Sequence, residues 1–222
     1  MTTVGLIGSG RIGGTVARLA VTAGHQVLLS NSRGPDTLVD LAAELGPLAR
    51  ATTGQEAAEG GELVVVTIPL RAVQSVAPGP LAGKVVIDTC NYYPQRDGHF
   101  PELDSGPLTS SELIQRHLPS SAVVKAFNNI YYRHLESLAR PAGAADRSYL
   151  PIAGDDAAAK AAVTAFLDSI GYGAVDAGPL AEGWRQQPGT PVYGAPYGSF
   201  QDPKGSPASA DAIRKALTAA ER

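Results

Sequence analysis

A short β-branched run at residues 4–7 leads directly into Gly8-Ser9-Gly10-Arg11-Ile12-Gly13, and an amphipathic alanine-rich stretch follows at residues 12–23. This is a GxGxxG spacing set between a strand and a helix, and that placement constrains the fold more than the letters do. Gly8 permits the tight turn, Gly10 leaves bare backbone for a pyrophosphate, and Gly13 lets the helix pack closely on the strand. The helix N-terminus, with its free N–H groups, then faces the phosphates. A glycine-rich turn that binds nothing is the competing reading, and the strand–loop–helix context favours dinucleotide binding.

The surrounding pattern supplies that context. Residues 4–7, 26–30, 63–68 and 84–88 read as strands. Between the first two, Ile12, Val16, Leu19 and Ala20 recur at helical spacing before Gly24 stops the helix. A second helix is expected at about residues 36–45, where Leu38, Leu41, Ala42 and Leu45 share a face and Pro35 suits the first turn. Further on, helices near 110–117 and 155–170 flank strands at 122–126 and 149–152, with Asp155 or Asp156 available as a cap. Short strands alternating with helices imply a Rossmann-type α/β fold, a doubly wound and mostly parallel sheet. Residues 1–180 read as the dinucleotide-binding domain. Residues 181–222 read as a C-terminal elaboration of the same domain, and a short helix near 209–219 closes the chain. The tail over 178–207 concentrates Trp184, Tyr193, Tyr197 and Phe200 among many Gly and Pro, which favours an ordered loop covering a pocket over a loose end.

In NAD-binding versions of this fold, a carboxylate about 20 residues past the loop accepts hydrogen bonds from the adenosine ribose 2′-hydroxyl. Here that place reads Asn31-Ser32-Arg33, with no carboxylate. Neutral Asn and Ser donate to a 2′-phosphate and the Arg33 guanidinium pairs with it, a charge-assisted contact worth roughly 1.5 to 3 kcal/mol. The expected nucleotide is therefore NADPH, against the reading of a merely polar turn. On the carboxyl edge of the sheet, where open α/β folds bind ligands, Thr67, Ile68 and Pro69 end the strand that starts at Leu63, and Ile68 offers an apolar contact to the nicotinamide half. The segments carrying Asn91 and Asn128 leave apolar strands at the same edge, and the adjacent Asn128 and Asn129 suit amide recognition of a flat heterocycle, although they suit turns as well. Cys90 reads as a small packed thiol.

Composition narrows the chemistry further. The 222 residues are 44% apolar and 18% charged, enough for a substantial core and inconsistent with disorder throughout. Lys and Arg number 18 against 21 Asp and Glu, too even a balance for nucleic acid or an anionic membrane as partner. The longest apolar run falls far short of the roughly 20 residues that span a bilayer, and no signal-like start is visible, so a cytoplasmic address is expected. The four histidines have no metal-ligand spacing and a GxSxG elbow is absent, so neither zinc chemistry nor serine hydrolysis is expected. No Lys or His acid–base pair emerges at the cleft edge, which points to hydride transfer governed by positioning, with a flavin-like ring as an acceptor that distributes the charge itself.

Residues 4–13, the Asn31-Ser32-Arg33 turn, residues 65–69 and 123–129, Ala153-Gly154-Asp155 and Asp176-Ala177-Gly178-Pro179-Leu180 together resemble the NADPH-dependent oxidoreductases of the deazaflavin coenzyme F420. More distantly, the chain is similar to the NADPH-binding domain of the STEAP metalloreductases. The likeness implies a homodimeric enzyme passing hydride directly between NADP(H) and F420 or a flavin-like acceptor. By it, Gly8 to Gly13 and Asn31 to Arg33 carry NADPH, Ile68 and Pro69 flank the nicotinamide, and Asn128 faces the deazaflavin pocket. Residues 92–108 and the tail depart from the family pattern and could line the second-substrate pocket. An imine or other small substrate is the alternative acceptor, and a non-catalytic NADP(H)-binding redox sensor is the alternative class.

Overall fold

A computed structural model describes residues 1–104 and 108–222. Residues 105–107 of the divergent 92–108 segment lie outside the described residues. In chain order the elements are β1 (Thr3–Ile7), α1 (Arg11–Thr22), β2 (Gln26–Ser30), α2 (Val39–Leu45), β3 (Ala49–Ala51), α3 (Gly54–Gly60), β4 (Leu63–Val66), β5 (Val85–Asp88), α4 (Pro94–Asp97), α5 (Pro101–Asp104), α6 (Ser110–His117), β6 (Ala122–Lys125), α7 (Tyr132–Ser137), β7 (Tyr149–Gly154), α8 (Ala157–Ser169), β8 (Gly173–Asp176) and α9 (Ala210–Thr218). The strands form one sheet in the order β3-β2-β1-β4-β5-β6-β7-β8, parallel except where β7 meets β6. This is the expected Rossmann-type doubly wound sheet.

The sheet is covered on both faces, and the strand sequences show why. Along β4, Leu63 and Val65 enter one apolar cluster while Val64 and Val66 enter the other, so an unbroken apolar run is buried on both sides. Val86 and Ile87 divide in the same way on β5, as do Val123 and Val124 on β6. Register aligns the strand ends that matter: Ile7 pairs with Ser30 and Val66, Val66 with Asp88, and Asp88 with Lys125. Five strands therefore present their carboxyl ends at one level, with the order reversing between β1 and β4.

Three details differ from the sequence expectation. The helix at 36–45 is split into a 3₁₀ turn, Pro35–Leu38, and α2, which buries no residue and so gains little from a regular continuation. The strand from Leu63 stops at Val66, before the Pro69 that cannot extend a ladder. The unforeseen β3 and β8 are edge strands of three and four residues, too short to show a period. Asp156, not Asp155, caps α8, accepting from the Ala159 N–H at 2.7 Å, while Asp155 accepts from the Leu180 N–H.

The tail is packed. Tyr197 is 0% exposed and its hydroxyl donates to the Tyr149 carbonyl, the Gly194 N–H donates to the Asn129 carbonyl, and Val192 joins the larger core. Among the described residues no helix is long and apolar enough to cross a membrane.

Candidate functional site

The glycine loop turns on two different requirements. Gly8 sits at φ 105°, and its N–H donates to the Ser30 carbonyl at 3.1 Å. A Cβ at Gly8 would lie 2.3 Å from the Thr67 carbonyl oxygen, and one at Gly13 would lie 2.2 Å from the Gly8 carbonyl oxygen. The protein itself needs both glycines. A Cβ at Gly10 would meet nothing within 4 Å, so this glycine keeps clear a space that no protein atom fills. Gly10 also begins α1, which has neither a side-chain cap nor an acidic residue in its first turn. Its leading N–H groups and the positive end of its dipole are left for an anion. The Ser9 hydroxyl is spent locally, donating to the Ser30 carbonyl at 2.9 Å.

At the end of β2, Asn31 shapes the turn. Its Oδ1 accepts from the Arg33 N–H at 2.8 Å and its Nδ2 donates to Thr37 Oγ1 at 2.9 Å. Ser32 and Arg33 are thereby exposed, and among the described residues Arg33 enters no ion pair. These segments open on a cavity of about 630 Å³ whose wall includes Gly8, Ser9, Gly10, Asn31, Ser32, Arg33, Thr67, Ile68 and Pro69. Among the described residues no Asp or Glu lines it.

Sequence reasoning missed the rest of that wall: Gly54, Gln55 and Ala58 of α3, then Ala72, Ser75, Val76, Ala77 and Pro80 after β4. One signal was available. Thr53 and Glu56 form a capping box, with Thr53 Oγ1 accepting from the Glu56 N–H and Glu56 accepting from the Thr53 N–H, and this announces a helix start at Gly54.

Five expected residues lie outside the wall. Arg11 projects over the Tyr132 ring, 5.3 Å from its centroid. Ile12 packs on the larger core and Gly13 lies under Gly8. Asn91 and Asn128 meet each other: Asn128 Nδ2 donates to Asn91 Oδ1 at 3.0 Å and to the Gln186 carbonyl at 2.6 Å, and Asn91 Nδ2 donates to the Asn128 carbonyl at 2.8 Å. They clamp the carboxyl ends of β5 and β6 to the tail. Phe127, buried between these strands and α7, adopts φ 62°, a conformation costly for an aromatic residue and held here by its neighbours.

Beneath that edge lies a buried ion pair. Lys125 Nζ donates to Asp88 Oδ2 at 3.1 Å and to the Cys90 carbonyl, while Asp88 also accepts from the Ser111 hydroxyl at 2.6 Å and the Cys90 N–H at 2.7 Å. Both side chains are essentially inaccessible, so they hold the loop after β5 in place and are closed to solvent. Burial, with the Asp88 carboxylate beside it, pushes the Cys90 thiol well above its ordinary range, in keeping with a packed thiol. The tyrosines are more open. The hydroxyls of Tyr93 and Tyr193 approach to 2.5 Å, and the Arg96 guanidinium lies 4.8 Å from the Tyr93 ring centroid.

Residues 3–92 match the family of coenzyme F420-dependent NADP oxidoreductases. This segment contains the glycine loop, the Asn31–Arg33 turn and the Thr67–Pro69 strand end. Solved structures extend the likeness over most of the chain. A hypothetical protein of Sinorhizobium meliloti is 28% identical with a TM-score of 0.76, the match covering 86% of this chain and 93% of that one. A proposed F420-dependent NADP-reductase of Arthrobacter sp. FB24 is also 28% identical, with a TM-score of 0.69 and coverage of 83% and 87%. An imine reductase of Bacillus cereus, at 17% identity and a TM-score of 0.59, shares the fold over 84% of this chain and 59% of its own. Among curated proteins, none matches this chain.

Proposed function

We propose that this protein is an NADPH-dependent oxidoreductase that passes hydride between NADP(H) and a deazaflavin or flavin-like acceptor. The observation that carries the nucleotide half is the exposed, unpaired Arg33 on a carboxylate-free cavity that also holds the open Gly10. The space over Gly10 and the uncapped start of α1 fit a pyrophosphate. Ser32 and Arg33 would take the 2′-phosphate, where a carboxylate would repel it. Ile68 and Pro69 would offer apolar walls to the rest of the nucleotide. When bound, the nicotinamide supplies the hydride, and the chain's work is to hold and orient it and to keep water away.

The acceptor half is supported by the family match, by the 28% identity to the Arthrobacter protein and by similar overall length. The likeness to imine reductases is one of fold alone. Mixing protein and NADPH with F420, free flavin or a cyclic imine, and following the nicotinamide absorbance band, tests the reading. Oxidation with F420 or flavin is expected. Oxidation with the imine alone would transfer the activity to that class, and tight binding without oxidation would make the protein a sensor.

A further inference from the structure

We propose that the Tyr93 hydroxyl is the proton donor to the hydride acceptor, resupplied through Tyr193. The inference rests on the oxidoreductase reading above and adds to it the source of a proton. Hydride addition to a conjugated heterocycle brings two electrons and one proton, and the ring heteroatom that receives the displaced electron pair still requires another proton. Lys125 cannot supply it, being buried and engaged with Asp88.

The polar contacts around Tyr193 lay out a relay. The Asn128 carbonyl can only accept, so the Asn91 atom facing it at 2.8 Å is Nδ2, and the same nitrogen lies 3.4 Å from the Tyr193 hydroxyl oxygen. Either hydroxyl of the Tyr93–Tyr193 pair, 2.5 Å apart, can donate to the other; in the relay Tyr193 donates to Tyr93, whose own proton then has no acceptor among the described residues and is free for one from outside. Tyr93 is half-buried and begins α4 just beyond the carboxyl end of β5.

The setting suits a donor. Arg71 Nη1 donates to the Arg96 carbonyl at 2.8 Å, tying the segment after Pro69 to the one after Tyr93, and these segments leave neighbouring strands, β4 and β5, at the same edge of the sheet. Arg96 over the Tyr93 ring stabilises the tyrosinate that forms, while Asp97 is held by Arg96 and by the Tyr93 N–H. The step balances. A C–H bond of the reduced nicotinamide breaks and a bond from that hydrogen to the acceptor ring forms, to carbon in a deazaflavin or to nitrogen in a flavin. The Tyr93 O–H bond breaks as the acceptor heteroatom gains a proton, and Tyr93 recovers one from Tyr193, which solvent replenishes. The nicotinamide is oxidised and the acceptor reduced by two electrons.

The test compares wild type, Tyr93→Phe and Tyr193→Phe by NADPH turnover with F420 or flavin, and by equilibrium binding of the oxidised acceptor without NADPH. In Tyr93→Phe, kcat is expected to fall about a hundredfold. Its acceptor Kd should rise about threefold to tenfold, the loss of one hydrogen bond, with NADPH affinity retained. Tyr193→Phe keeps the Tyr93 hydroxyl, so acceptor binding should hold while kcat still falls. If Tyr93→Phe does not fold, Tyr193→Phe alone decides, and unchanged kcat there overturns the relay. A Tyr93→Phe enzyme with wild-type kcat and acceptor Kd refutes the donor alone. Wild-type protein that leaves NADPH unoxidised with every acceptor tried refutes the oxidoreductase reading and the donor with it.

Discussion

Gly10→Ala adds a methyl group where no protein atom lies within 4 Å, so the fold should tolerate it while a bound pyrophosphate should not. We expect a thermal midpoint within about 2 °C of wild type, because nothing in the core is disturbed, and NADPH affinity at least tenfold weaker. Gly8→Ala should behave in the opposite order. It forces a side chain into a left-handed conformation 2.3 Å from the Thr67 carbonyl. A cost of about 1 to 3 kcal/mol, at about 2 to 4 °C per kcal/mol for a chain of this size, should appear first as lost stability. Differential scanning calorimetry and nucleotide titration of the two variants check this, and equal behaviour would remove the distinction. The motif's spacing made all three glycines legible in the sequence. Their separate roles followed from the motif as well, and the structure adds which atom lies above each Cα. Asn31 was read as a phosphate donor, and what the sequence did not show is that its amide also builds the turn that exposes Arg33.

At the scale of elements, the sheet's carboxyl edge is fixed from below by Asp88 at the end of β5 and Lys125 at the end of β6, paired in register. Lys125→Met should destabilise the fold by about 3 to 5 kcal/mol, because it leaves a buried carboxylate uncompensated. The double variant Asp88→Asn/Lys125→Met should recover most of that loss in denaturant titrations, since the charge that lacked a partner is gone. A double variant as unstable as the single one would contradict the pairing account. Each residue was visible in the sequence as the polar end of an apolar strand. Their partnership was not, because it requires knowing that β5 and β6 are neighbours. Strands β1, β2, β4, β5 and β6 were legible because short runs of β-branched and leucine residues buried on both faces leave a plain signal, while β3 and β8 are brief and lie at the sheet's ends. The capping box at Thr53 and Glu56 was a local signal that could have revealed α3 and with it the Gln55 and Ala58 wall.

For the molecule as a whole, the cavity is built from local sequence and the Tyr93–Tyr193 part of the edge from distant sequence. Glycine loop, turn and strand end come from the first 80 residues, each recognisable in its own neighbourhood. Tyr93 meets Tyr193 across a hundred residues, and Asn129 holds the tail through the Val192 carbonyl. No periodicity records such contacts, so the tail was legible as ordered but its docking place was not. It rests on the loop between β6 and α7, and none of its described residues lines the nucleotide cavity. The account stands or falls on which nucleotide that cavity selects. Isothermal titration of wild-type protein and Arg33→Ala with NADPH and with NADH tests this most directly. Wild type should hold NADPH at least tenfold more tightly than NADH, and Arg33→Ala should lose that preference by weakening NADPH alone. Equal affinity for both nucleotides in the wild type, or equal losses in the variant, would contradict it.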